Sequence, residues 1–302
     1  MIPDQPSMRS GFVAMVGRPN VGKSSLVNAI VGQKVSITAN KPQTTRFAIR
    51  GILSRPSSQI VFIDMPGLHK PKSELGRRLN SVIHDWVNDV DIVIAMFDAS
   101  SDIGAGDRAV IEEVSAATSE SNRPVAVINK ADLVQPPVLL SRIDQIASMG
   151  QWADVLTTSV KRGTGLGDLC DRLESMLPEG PALYPLDTVT DLPELVAIAE
   201  MIREKAVGAL TQELPYSVAV VVDEMEQRAG RELLDIFATI YVERDSQKGI
   251  LIGAGGKMLK KIATQARKDI EESLGQHVYL DVVVKVEHEW QRDARALQRF
   301  GY

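Results

Sequence analysis

The chain has 302 residues, 44 % hydrophobic and 24 % charged, with a formal net charge of −5. This is the make-up of a soluble globular protein, and the length predicts two domains at roughly 100–200 residues each. It excludes several classes: no apolar run approaches the ~20 residues that cross a bilayer, residues 1–10 hold no secretory core, and the single cysteine, Cys170, leaves no disulfide partner and fits a reducing, cytoplasmic compartment.

The first predicted element is the apolar strand Phe12–Val16. Directly behind it stands Gly17-Arg18-Pro19-Asn20-Val21-Gly22-Lys23-Ser24, which reads G-x-x-x-x-G-K-S. Ser25 then opens a helix-compatible run with Leu26, Val27 and Ile30 spaced for one buried side. Strand, glycine loop and helix together form the context of a phosphate site. The glycines let successive N–H groups face an anion, and the helix N-terminus adds its unpaired donors. Lys23 is placed to reach the β- and γ-phosphates and Ser24 to offer its hydroxyl to Mg²⁺.

Val35–Thr45 shows no period and reads as a loop. Phe47–Leu53 and Gln59–Ile63 read as a hairpin around Arg55–Ser58, so the sheet is expected to be mixed. Asp64-Met65-Pro66-Gly67 closes the second strand as D-x-x-G; there Asp64 would hold Mg²⁺ and the Gly67 N–H would meet the γ-phosphate. Strands follow at Asp91–Phe97 and Pro124–Ile128, with helices between them at about 74–88 and 105–119. Asn129-Lys130-Ala131-Asp132 then gives N-x-x-D with a lysine second. A carboxylate at Asp132 accepts from both N1–H and the 2-amino group of guanine, a donor pair adenine lacks, so GTP is favoured over ATP. A sixth strand, Val155–Thr158, brings Thr158, Ser159, Val160 and Lys161 to where backbone N–H groups could touch the guanine O6, and Thr164–Leu177 is the closing helix, with Cys170 on its apolar face. Each motif has a bland alternative, a turn or a helix cap, but four in order at strand carboxyl ends mark the ligand edge of an open α/β sheet.

Pro178–Pro185 holds three prolines and a glycine and reads as a linker extending to about Asp191. A helix follows with Leu195, Ile198, Ala199, Ile202, Ala206 and Leu210 on one face, then strands Ser217–Asp223 and Leu234–Glu243. After Gly249–Gly256 comes a helix from Lys257 to about Ser273, and His277–Glu287 is the last strand. The order α-β-β-α-α-β, with Gly253-Ala254-Gly255-Gly256 ahead of a basic helix, matches a KH module. Residues 1–180 carry 19 of the 34 basic and 19 of the 39 acidic side chains, so the acidic excess lies beyond them; yet Ser246–Lys268 holds six basic residues and no acidic one. Such a local patch, with Lys257, Lys260 and Lys261 within a turn of Gly256, attracts phosphate whatever the overall charge. The alternative is the solvated face of an amphipathic helix.

These motifs, with Pro42-Gln-Thr-Thr-Arg46, resemble the Era family of bacterial Ras-like GTPases over nearly the whole chain. The resemblance implies an α/β P-loop GTPase domain with a six-stranded mixed sheet over residues 1–178, a linker over 179–191, and an α+β type II KH domain with a C-terminal tail over 192–302. It implies slow GTP hydrolysis with Mg²⁺, binding to the 3′ end of small-subunit ribosomal RNA, a role in small ribosomal subunit assembly, and a peripheral association with the inner membrane surface. Leu68 stands where other GTPases carry a water-orienting glutamine. Asn20 and the Thr44–Thr45 pair resemble GTPases in which K⁺ replaces an arginine finger, with Thr45 as the expected Mg²⁺ ligand and Thr44 the alternative; Lys23, Thr45, Asn20 and Gly67 are thus the expected catalytic set. Three positions depart from the family pattern: Met65 for threonine, Val160 for alanine, and Ala254 for lysine. The residues leave open a tRNA-modification G domain, a module in which GTP is structural, and a second domain that binds protein rather than RNA.

Overall fold

The computed structural model describes residues 8–38, 44–71, 73–116, 124–210 and 217–302. The chain divides into two compact units. One comprises Met1–Ser36, Thr45–Lys70 and Arg78–Asp191; the other comprises Ile37–Thr44, Pro71–Arg77 and Leu192–Tyr302.

The first unit is built on strands β1 (Met8–Gly17), β2 (Ile49–Ser54), β3 (Ser58–Asp64), β4 (Ile92–Asp98), β5 (Val125–Asn129) and β6 (Asp154–Thr157), in the spatial order β2-β3-β1-β4-β5-β6. Of these six only β2 runs antiparallel to its neighbour, as the tight Arg55–Ser58 turn requires. A two-residue strand, β7 (Glu179–Gly180), which the sequence pattern does not announce, pairs antiparallel with the start of β1. Helices α1 (Lys23–Val31), α2 (Glu74–Asp89), α3 (Ala105–Ala116), α4 (Pro136–Met149) and α5 (Leu166–Met176) complete the βα alternation, although α2 begins in the other unit. The predicted 117–119 end of α3 lies outside the described residues. Side chains alternate along each strand, so β1 sends Val13 and Met15 to one core with Leu26 of α1 and Leu169 of α5. Ala14 and Val16 go to the other, with Ile83 of α2, Val110 of α3 and Ile146 of α4. Burial on both faces explains why these strands read as continuous apolar runs. Cys170 is buried on α5, and burial pushes its thiol up to about 11.

Residues 181–191 run along the sheet edge rather than free. Gln59 Oε1 accepts from the N–H groups of Leu183 and Tyr184 at 2.7 and 2.9 Å, and Ile52 of β2 donates to Val189 at 2.8 Å. Arg50 closes on Asp191 at 2.5 Å. An edge strand is thereby covered.

The second unit holds α6 (Glu194–Ala209), β8 (Ala219–Gln227), β9 (Leu234–Val242), α7 (Asp245–Ile252), α8 (Lys257–Leu274), β10 (Val278–Val286) and a short tail helix α9 (Ala294–Arg299). Its sheet has the order β10-β9-β8, with β10 and β9 parallel and β8 and β9 antiparallel. Ile198, Ile202 and Ala206 of α6 and Ile262, Ala266 and Ile270 of α8 pack on Ile236, Ala238, Ile240, Val282 and Val284. Leu195, expected on the buried face of α6, is 47 % exposed because the helix has barely begun there. The tail docks on this unit: Trp290 is fully buried, its indole N–H donates to the carbonyl of Ser217 at 3.1 Å, and Phe300 lies 4.7 Å from the ring of Tyr241.

Candidate nucleotide and nucleic-acid sites

β1 ends at Gly17, and the loop to α1 turns through Asn20 at φ 66° and Gly22 at φ 109°. A side chain at Gly22 would start 2.3 Å from Asn129 Nδ2, and one at Gly67 would start 2.7 Å from Pro19 N. The D-x-x-G turn thus lies directly against the phosphate loop, an approach only glycine permits. Lys23 is buried, with Nζ donating to the carbonyls of Gly17 and Arg18 at 3.1 and 3.2 Å. Burial lowers it to about 8, with Asp64 opposing the shift. The Arg18 side chain turns to Asp107 at 2.7 Å and to Ser101 at 2.8 Å, which fixes the loop against the start of α3.

Ser24, Thr45 and Asp64 meet beside Lys23. Ser24 Oγ and Thr45 Oγ1 are 2.9 Å apart. That is about the separation of two neighbouring oxygens on an octahedral ion with 2.0–2.1 Å bonds. Asp64 is fully buried; Ser36 Oγ donates to its Oδ2 at 2.5 Å, while Oδ1 is buried with no hydrogen-bond partner. Burial raises the Asp64 pKa, and the Lys23 charge works against it. Two hydroxyls and one orphaned carboxylate oxygen fit a hard divalent cation such as Mg²⁺, which keeps few protein ligands and completes its shell with phosphate and water. Among the described residues no cluster of three or more His, Cys, Asp or Glu offers another metal site. Met65, which departs from the family's threonine, is fully buried with its side chain in the core. Leu68 packs on the same core and donates its N–H to Gly17 at 3.1 Å.

The base-side residues form a second cluster at the ends of β5 and β6. Asn129 donates from Nδ2 to Val21 O at 2.9 Å and accepts at Oδ1 from Thr158 Oγ1 at 3.2 Å and Val160 N at 3.3 Å. Lys130, at φ 63°, bridges Asn20 O at 2.9 Å and Asp98 Oδ2 at 2.6 Å. Ser159 Oγ donates to Asp132 Oδ1 at 2.5 Å, and that hydroxyl holds the carboxylate below its usual pKa. Ser36 and Asp98 are missed by motif reading, and Thr158, named there for its backbone, enters through its side chain. Asp98 ends β4 on the ligand edge of the sheet, a position that signals it; Ser36 lies in an unpatterned loop and carries no signal.

In the second unit α7 ends at Gly253, whose φ of 69° and ψ of 176° belong to a region open essentially to glycine alone. Gly255 and Gly256 are left-handed at φ 59° and 75°. Ala254 is the one residue of the four without positive φ, so a side chain is permitted there, and alanine for lysine removes a charge without altering the turn. Lys257, Lys260 and Lys261 are exposed on the first turn of α8 beside this loop.

Nucleotide binding by an unshielded Lys23 carries a pH signature. Because the folded-state pKa is lowered from 10.5 to about 8, the unfolded chain binds more protons between those values, so nucleotide-free stability rises with pH across that window. Phosphate restores the charge, so GDP binding near pH 8 is expected to take up about half a proton. The binding enthalpy without Mg²⁺, compared across buffers of different ionisation heat, measures this, and zero uptake refutes the shift.

Residues 12–130 match the family described as 50S ribosome-binding GTPase, and residues 213–291 match the KH domain. The chain is 47 % identical to GTPase Era of Nocardioides sp., with 99 % of this chain and 97 % of the relative covered. It is 46 % identical to GTPase Era of Mycolicibacterium smegmatis, covering 97 % and 99 %. Among solved structures, a variant of Aquifex aeolicus Era bound to GDP.AlF4⁻ superposes with a TM-score of 0.93 at 34 % identity, over 98 % of this chain and 99 % of that one. Era in complex with MgGDPNP and nucleotides 1506–1542 of 16S ribosomal RNA gives 0.91 at 34 %, with the same coverage. A P-loop unit followed by a KH unit, matched end to end by these relatives, places the chain in the GTPase Era family.

Proposed function

We propose that this protein binds and slowly hydrolyses GTP with Mg²⁺ and binds the 3′ region of small-subunit ribosomal RNA through its second unit, in assembly of the small ribosomal subunit. The observation that carries the enzymatic half is the convergence of Ser24, Thr45 and the orphaned Asp64 Oδ1 beside buried Lys23. Ser24, Thr45 and Asp64 would hold the ion, which when bound neutralises charge on the β- and γ-phosphates. The chain itself supplies the loop N–H groups around Gly22, the Lys23 ammonium and the Gly67 N–H. Leu68 has no group to orient water, so turnover is slow without assistance. The RNA half rests on the Gly253–Gly256 loop and its lysines, and on the relative solved with 16S nucleotides. Association with the inner membrane surface would be peripheral, since among the described residues no helix is long and apolar enough to cross.

A single-stranded oligonucleotide from the 3′ end of small-subunit rRNA, bound in the presence of a GTP analogue, should outcompete a scrambled one. Equal binding of the two removes the rRNA assignment. Asn20, at φ 66° in the phosphate loop with its carbonyl held by Lys130, is the proposed K⁺ ligand. Turnover should be faster in K⁺ than in Na⁺, and Asn20→Ala should abolish the difference. Identical rates in the two salts would refute this role.

A further inference from the structure

Among the described residues only three that are not glycine have positive φ: Asn20 at 66°, Lys130 at 63° and Glu289 at 50°. The first two share one contact inside the first unit, where Lys130 Nζ donates to the carbonyl of Asn20 at 2.9 Å. Left-handed backbone is uncommon outside glycine and persists where its surroundings hold it. Asp98, at the end of β4, holds this contact. Its Oδ2 takes Lys130 Nζ at 2.6 Å, and its Oδ1 accepts from the N–H and the hydroxyl of Ser100 at 2.9 and 2.6 Å. The carboxylate is thus fixed at both oxygens, with its side chain 13 % exposed.

Peptide groups are planar, and no cis bond occurs among the described residues, so each carbonyl and the N–H after it point opposite ways. Lys130 draws the Asn20 carbonyl toward the 129–130 turn, which turns the Val21 N–H away from it. Asn129 Nδ2 draws the Val21 carbonyl toward the same turn at 2.9 Å, which turns the Gly22 N–H away as well. Two successive donors are left together on the other side of the loop, the arrangement that binds an anion. The start of the loop is gripped separately, through Arg18 on Ser101 and Asp107. We infer that Asp98 is a positioning residue for nucleotide binding: by keeping Lys130 on the Asn20 carbonyl it keeps the Val21 and Gly22 N–H groups aimed at the phosphates. Without it Lys130 leaves the carbonyl for water, and apparent affinity falls by the fraction of time the loop is out of shape. GDP and GTP share the phosphates nearest the loop, so both lose alike. The role rests on the proposed GTPase reading.

The test uses the full chain and an isosteric change. In Asp98→Asn, Ser100 still claims the one remaining oxygen, so the new amide nitrogen faces the Lys130 ammonium and two donors oppose each other. The dissociation constants for GDP and for a non-hydrolysable GTP analogue should each rise about tenfold, the size of one hydrogen bond to a charged group. Their ratio should not change, and the GDP loss should be the same with Mg²⁺ and with EDTA, because the loop meets phosphate without the ion. Lys130→Met keeps an apolar stem and removes the ammonium; in that background Asp98→Asn should cost nothing further, since the two act through one contact. Asp98→Glu returns a carboxylate to a lysine on a flexible stem and should recover most of the affinity. A partly exposed ion pair contributes little to folding, so the thermal midpoint of nucleotide-free Asp98→Asn should move by no more than about 4 °C. Unchanged affinity in Asp98→Asn, additive losses in the double variant, no recovery in Asp98→Glu, or a loss for the GTP analogue alone overturns the inference. A larger fall in the midpoint overturns it too and leaves Asp98 a structural residue. Equal affinity of the unmodified protein for GTP and ATP would instead remove the GTPase reading itself.

Discussion

Asp132→Asn is expected to move the preferred base from guanine to xanthine. The carboxylate accepts two donors from guanine; an amide turns one acceptor into a donor, and xanthine presents an oxygen where guanine has its 2-amino group. The geometry makes this swap clean. Ser159 Oγ, 2.5 Å from Asp132 Oδ1, still finds an oxygen in asparagine, which leaves the new amide to face the ring. Asn129, buried and held by Val21, Thr158 and Val160, keeps the loop in place without help from position 132. A site that reads a base by paired hydrogen bonds rejects the mismatched ligand by on the order of 10⁴. Competition binding with GTP and xanthosine triphosphate should show a loss of that order for one and a gain for the other. Unchanged preference would mean that Asp132 does not face the base.

The candidate nucleotide site is legible because the residues proposed for it are tied to sequence spacing by the fold. A loop between a strand and a helix has a fixed span, so Gly17–Ser24 announces itself, and Asp64 and Asn129 stand at strand ends where an open α/β sheet places its ligands. Buried strands reveal themselves by apolar runs, and β3, β4 and β5 came out close to their observed bounds. Helix α4 carried less signal: among its 14 residues only Ile146 is buried, so the apolar stripe is thin.

Other features depend on contacts that no local pattern encodes. Residues 181–191 have a linker's composition, yet they bond to β2 through Ile52 and Arg50 and to β3 through Gln59. Nothing in a run of prolines names those partners. Arg203 stands outside the apolar face that the sequence gives α6, yet it is 1 % exposed and paired with Glu200. Ala254 departs from the family's lysine, and it is the one residue of Gly253–Gly256 without positive φ.

Gly253→Asp is expected to abolish most RNA binding, and the structure says why the effect should be steric before it is electrostatic. The residue sits at φ 69° and ψ 176°, and an added Cβ would lie 2.8 Å from Met258 Cβ. Holding a side chain there costs about 1–3 kcal/mol, so the turn opens and the N-terminus of α8 shifts; read as lost binding this is roughly 10–100-fold. Gly255→Asp separates charge from strain. Gly255 is left-handed at φ 59° and ψ 28°, a region aspartate tolerates, and nothing lies within 4 Å of its added Cβ. That variant should keep the turn and weaken binding through repulsion alone, an effect that fades as salt is raised, whereas the loss in Gly253→Asp should persist at high salt. Single removals of Lys257, Lys260 or Lys261 should weaken all sequences alike and reduce the salt slope by about 0.7 each if each meets one phosphate. Fluorescence anisotropy with the 3′-end oligonucleotide and its scramble, across a salt series, measures all five variants beside the unmodified protein. If Gly253→Asp binds both oligonucleotides as the unmodified protein does, the loop is not where nucleic acid lies, and the KH unit must use another surface.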